Sequence, residues 1–207
     1  MLIPFHEIAQ LLNQKNIKIK GVFHVGAHYC EELQAYLNEG INEKNIWWVE
    51  GNTEIYNHMT GKVNIINAMV DEISGRSVDF KITNNGQSSS ILELGTHKIH
   101  HSDVYVLNSS KYITKSIKDV VQEQNLDIQN LNFWNMDIQG LELRALKGAG
   151  DLLEKVDALY LEVNTEKVYI DCALIEDIDE YVKNFGFSRV LTKMTQWGWG
   201  DALYIKN

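Results

Sequence analysis

The sequence predicts an α/β fold: a doubly wound, mainly parallel sheet with helices on both faces and a C-terminal antiparallel hairpin. Three observations predict it. Four apolar runs each meet a glycine or an acid at or near their C-terminal end: GVFHV runs into Gly26, NIWWVE ends in Glu50, LNFWNMD ends in Asp137, and ALYLEV carries Glu162. Segments with apolar residues at helical spacing lie between these runs, and strands alternating with helices imply right-handed βαβ units. The last two apolar runs, FSRVLTK and DALYIK, are joined by MTQWGWG, a spacing and glycine content that favour a hairpin.

Taken in order, Phe5, Ile8, Leu11 and Leu12 place a short amphipathic helix over 5–14, expected to cap an edge of the sheet. A strand then runs to a tight loop at Gly26, and EELQAYL comes next as a helix with Leu33, Tyr36 and Leu37 on one face. Trp47 and Trp48 in the second strand are expected on its two faces, because successive side chains of a strand alternate. KVNIINAMV (62–70) is expected as one strand, and the alternating SVDFKIT (77–83) after Gly75 as an extra one. Residues 84–110 turn polar and irregular, with NNGQSSS, HKIHH and NSS, and are expected as a long variable loop of the kind that carries function. Regular structure resumes with a helix over 116–124, a strand over 131–137, helix LELRALKG, strand 158–163 and a helix within CALIEDIDEYVKNFG.

A chain of 207 residues, 44% hydrophobic and 23% charged, is expected to form a single domain over 1–207, with 1–19 as a helical extension. The net charge of -9 argues against nucleic acid as a partner, since phosphate backbones are bound through clustered Lys and Arg. No run reaches the ~20 apolar residues that cross a bilayer, and the first residues lack the basic-then-apolar order of a secretion signal. No membrane partner and a cytoplasmic location are therefore expected. Cys30 and Cys172 form no CxxC pair and are expected as two reduced thiols. Nothing in the composition fixes an oligomeric state.

Doubly wound sheets bind ligands beyond the carboxyl ends of their strands. Gly26, Ala27 and His28 come directly after the first strand; Glu50, 24 residues after Gly26, closes the second, with Asn52 just beyond it; Ala68 lies near the end of the third. An acid at the end of the second strand can accept hydrogen bonds from both hydroxyls of a ribose. GAHYCE is not GxGxxG, however: His28 and Glu31 stand where the second and third glycines admit a pyrophosphate. A cofactor with a ribose but no pyrophosphate suits this loop better than NAD. Asp137 and Glu162 rank first as catalytic carboxylates, and Ser89, Ser90, Glu142, Asn164 and Trp197 are candidates to face a substrate. Glu142 can also be read as a helix-start carboxylate meeting the helix dipole, and Trp197, like Trp199, as packing. His97, His100 and His101 lack the acid of an HExxH pair and are expected as solvated loop histidines. No metal site is predicted, although Asp137 is chemically able to ligate a divalent ion.

At these residues the chain resembles the FkbM family of methyltransferases. FHVGAHYCEE, WWVEGN, the serines at 88–90, MDIQGLELRALKGAG, LYLEVN and WGDALYIK carry the resemblance, from Gly21 to Lys206 in the family's order. The string Asp137-Ile138-Gln139-Gly140 with Glu142 and LKGA is the most specific part. A parallel sheet closed by a C-terminal hairpin is also the layout of Rossmann-like class I methyltransferases. The resemblance implies transfer of a methyl group from S-adenosylmethionine to an oxygen, on a sugar, glycan or small hydroxylated metabolite. That cofactor has no pyrophosphate, and its cationic sulfonium favours a nearby carboxylate such as Asp137. His24, His28 and Cys30 stand where the family commonly has Asp, Asn and Gly. An NAD-dependent oxidoreductase and a binding domain without activity are the alternative readings.

Overall fold

A computed structural model describes all residues, Met1–Asn207. The main sheet has seven strands: β1 Val22–Val25, β2 Ile46–Glu50, β3 Ile65–Asn67, β7 Phe133–Met136, β8 Ala158–Asn164, β9 Phe187–Met194 and β10 Trp199–Lys206. Their spatial order is β3-β2-β1-β7-β8-β10-β9, with the first five parallel and β10 antiparallel to both β8 and β9. This is the doubly wound sheet with a C-terminal antiparallel hairpin that the sequence predicts. Its order reverses between β1 and β7, which places the switch point beside Gly26 and Asp137.

Strand alternation sorts the core into two layers. Phe23, Val25, Trp134, Met136, Leu159, Leu161 and Val163 face one side and pack with apolar residues of helices α5 (Ile117–Glu123), α6 (Glu142–Ala149) and α7 (Ile175–Lys183). Val22, Phe133, Ala158 and Tyr160 face the other and pack with α1 (Phe5–Gln14) and α2 (Leu33–Asn38). Trp48 is buried in this second layer while Trp47 packs against the first, as alternation requires.

Three sequence expectations are corrected. Helix α1 caps no edge: the Phe5 ring lies 5.5 Å from Phe133 and 4.7 Å from Tyr36, over the middle of the sheet, because the whole Phe5–Ile8–Leu12 stripe is buried there. Residues 62–70 form two strands, not one. Ile65–Asn67 pairs with β2, the chain turns away at Ala68, and β4 (Met69–Val70) joins a second sheet of order β4-β6-β5 with β5 (Ser77–Thr83) and β6 (Val106–Lys115). Finally, β6 begins inside the expected loop. Its residues are mostly exposed, so they lack the apolar signature of a buried strand, and cross-strand pairing with β5 fixes them instead. The loop also contains a four-residue helix, α4 (His97–His100).

The second sheet is tied to helix α6 by an ion cluster around one buried acid. Asp71, fully buried after β4, accepts from Arg144 Nε of α6 at 2.7 Å and from Arg76 at 2.5 Å. No helix is long and apolar enough to cross a membrane.

Candidate active site

A cleft of roughly 610 Å³ opens at the carboxyl ends of β1, β2, β7 and β8. Its far wall is supplied by Met69 and Val70 of β4, Phe80 of β5 and the loop carrying Ser88–Ser90, so the second sheet encloses the switch point.

The loop after β1 starts with Gly26 at φ +93°, where a Cβ would lie 1.8 Å from the Asp137 carbonyl oxygen. Glycine is therefore required by the approach of the β7 strand end, a packing reason the sequence did not disclose. The amides of Gly26 and Ala27 both donate to the Val49 carbonyl, at 2.9 and 3.0 Å, which pins the loop to β2. His28 and Cys30 are next, in left-handed conformations, φ +44° and +58°. Asn and Gly, the residues common in the resembling family, adopt these angles with less strain, so this chain keeps the backbone course with less suitable side chains.

Glu50 is buried, and each of its oxygens accepts a backbone amide: Oε2 from His28 at 2.8 Å and Oε1 from Asn52 at 2.6 Å. Burial pushes its pKa up, and these amides oppose the rise by stabilising the charged form. A carboxylate has about four acceptor sites, so two remain for a diol. The Asn52 side chain caps helix α3 (Thr53–Met59) through Glu54 N at 2.9 Å, and Ala68 lines the cleft close by.

At the other end, Asp137 and Glu162 stand on adjacent strand ends, because Met136 is in register with Leu161. Gln139, at φ +57°, bridges them: its Nε2 donates to Asp137 Oδ1 at 2.5 Å and to Glu162 Oε2 at 3.0 Å, while its Oε1 accepts from Tyr169 Oη at 2.5 Å. Burial raises the pKa of both acids, and the Asp137 carboxylate beside it raises Glu162 further, well above the usual carboxylate range. Asp201 of β10 is in register with Glu162 and adds a third acid, bonded to Tyr160 Oη and to Leu2 N at 2.5 Å.

Of the residues expected to face a substrate, Glu142, Asn164 and Trp197 are not brought to the lining of the cleft. Glu142 turns inward, where its Oε1 accepts Ile138 N at 2.9 Å and Gly140 N at 3.3 Å; burial raises its pKa to about 8. It holds the DIQG loop in shape. Asn164 is buried with no hydrogen bond at Oδ1, and Trp197 packs its ring 5.0 Å from His101. Trp199 reaches the cleft instead. Ser89 and Ser90 line it, but their hydroxyls are engaged locally, donating to the carbonyls of Gly86 and Gln139 at 2.6 and 2.9 Å.

The histidines are not a solvated group. His97 is buried and lines the cleft, its Nε2 3.1 Å from Ser88 Oγ and its Nδ1 without a partner. The half-buried His101 also lines the cleft, its ring 4.8 Å from that of His97, while His100 pairs with Glu166 at 3.0 Å. His24 lines the cleft as well. Burial lowers its pKa to about 4, so it is neutral, with Nδ1 3.0 Å from Tyr36 Oη. No group of three or more His, Cys, Asp and Glu side chains is arranged to hold a metal ion. Cys30 and Cys172 are both free and buried.

Residues 23–189 match the methyltransferase FkbM domain. The chain belongs to that family. The DIQG loop and the Glu50 strand end fall within the matched residues, while Met1, Leu2, Trp199 and Asp201 of the cleft lining lie outside them. Among solved structures the chain is similar to a SAM-dependent methyltransferase from Aquifex aeolicus, at 12% identity and TM-score 0.42, covering 95% of this chain and 87% of that one. It is also similar to one from Archaeoglobus fulgidus, at 12% identity and TM-score 0.35, covering 97% and 92%. No curated protein matches it.

Proposed function

We propose that this FkbM-family chain transfers a methyl group from S-adenosylmethionine to a hydroxyl oxygen of a glycan or small hydroxylated metabolite. The observation that carries this reading is the charge pattern of the cleft. Its lining includes six carboxylates, those of Glu31, Glu32, Glu50, Asp137, Glu162 and Asp201, and no Lys or Arg. A ribose diol and a cationic sulfonium fit such a set of carboxylates, whereas the pyrophosphate of NAD meets no Lys or Arg side chain in it.

When bound, S-adenosylmethionine supplies an electrophilic methyl group. Glu50, fixed by two amides, holds the ribose hydroxyls, and Gly26, Ala27, His28, Asn52 and Ala68 shape the remaining cofactor surface. Asp137 and Glu162 act as a unit: Glu162 in its ionised form takes the proton of the acceptor hydroxyl, and Asp137, linked to it through Gln139, orients it. Trp199, which lines the cleft, offers a flat face to a sugar ring. Alignment of the reacting oxygen is the larger part of the rate in such displacements.

The test is incubation with methyl-labelled S-adenosylmethionine and a panel of glycans and polyols, and then location of the label. An ether-linked methyl group is expected; label on nitrogen or carbon contradicts the reading.

A further inference from the structure

The three acids at the ends of β7, β8 and β10 have an unusual environment. Asp137, Glu162 and Asp201 abut through strand register and each lines the cleft, whose lining has no Lys or Arg; outside it, Lys193 of β9 is in register with Asp201 and donates to the Leu2 carbonyl at 3.0 Å. The groups around them are Gln139 and Tyr169 on one side, Tyr160 behind Asp201, Glu142 of α6 beneath the DIQG loop, and the Met1 amino group, which itself lies 3.6 Å from Glu32. Glu162 is 6% exposed; its Oε2 accepts from Gln139, and its carboxyl group is hydrogen-bonded to that of Asp137. Abutting buried carboxyl groups share protons rather than both ionising, and burial raises the pKa of both members of the Asp137–Glu162 pair.

Resting on the proposed cofactor, we infer that the Asp137–Glu162 pair reads the charge on the cofactor's sulfur: it accepts the sulfonium by releasing a proton to solvent, and holds the neutral thioether product, S-adenosylhomocysteine, more weakly with the proton retained. The methyl donor brings the pair a further cation, which the product lacks. Loss of the proton also leaves Glu162 ionised, the form needed to take a proton from the acceptor, so the base is armed only when the donor is in place. After transfer the sulfur is neutral and the acceptor's proton is on the pair, which favours departure of the product. Glu50 takes no part in this discrimination, since both molecules carry the same ribose.

Calorimetric titration with S-adenosylmethionine and with S-adenosylhomocysteine, each in phosphate and in Tris at one pH, reads affinity and proton release together. The two ligands carry the same amino-acid end, so its protons cancel in the difference. The donor is expected to bind about tenfold tighter, or about 1.4 kcal/mol, and to release a larger fraction of a proton than the product does. In Glu162→Gln both differences are expected to shrink towards zero. Product binding as tight as donor binding, or equal proton counts, overturns the inference and leaves the cofactor assignment standing. Binding of neither molecule to the unmodified protein overturns the assignment itself.

Discussion

Glu50 and the Asp137–Glu162 pair occupy the same edge of one sheet, yet the chain treats their charge in opposite ways. Glu50 receives two backbone amides, from His28 and Asn52, so its carboxylate is compensated before any ligand arrives. Asp137 and Glu162 receive one shared side-chain amide, from Gln139, and lie beside a third acid. The first arrangement suits a group that must stay ionised and still while it holds hydroxyls. The second suits a group whose proton moves.

Substitutions that remove one end without the other break this comparison most directly. Glu50→Ala is expected to weaken donor and product alike, by roughly 100-fold or more, because hydrogen bonds to a charged group contribute about 1.5–3 kcal/mol each and two are lost. Calorimetry with both molecules checks this. Glu162→Ala is expected to lower turnover by about 10²–10⁴-fold, the usual worth of a general base, while donor affinity changes by no more than about tenfold. Equal losses of binding in the two variants would erase the division of roles.

Glu142 sharpens the contrast from the structural side. Its pKa is raised to about 8 by burial, with backbone amides of the DIQG loop opposing the rise. The native state then holds a proton that the unfolded chain has lost, so this group's contribution to stability falls as pH rises from about 4.5 to about 8 and levels off above that. Glu142→Gln keeps an oxygen for Ile138 N and Gly140 N and removes the titration. Its melting temperature relative to the unmodified protein is expected to rise between pH 5 and pH 8; a constant difference would show that Glu142 does not titrate in this window. The smallest effect is expected for His28→Asn. His28 holds Glu50 through its backbone amide, so cofactor affinity should stay within about threefold, and Asn accepts the left-handed backbone more easily.

Strands β1, β2, β7 and β8 were legible in the sequence because each is a buried apolar run that meets a glycine or an acid, and the hairpin because the glycine-bearing MTQWGWG joins two strand-like runs, whereas β3 and β4 merged into one apolar run. Glu50, Asp137 and Glu162 were legible for the same reason: strand ends sit at predictable places on a doubly wound sheet. The second sheet was not, since β6 is mostly exposed and its partner β5 lies across the whole 84–105 segment. That hidden sheet explains why His97 and His101 read as solvated residues although they line the cleft. Tyr169 carried no sequence signal, and Asp201 was visible only as part of the closing WGDALYIK string. The inward turn of Glu142 depends on amides two and four residues earlier, a local geometry that composition does not encode.

The most direct test of the central claim is titration of the purified protein with S-adenosylmethionine and, separately, with NAD. Saturable binding of S-adenosylmethionine, lost in Glu50→Ala, and no binding of NAD are the expected results; binding of NAD without S-adenosylmethionine would contradict the cofactor assignment.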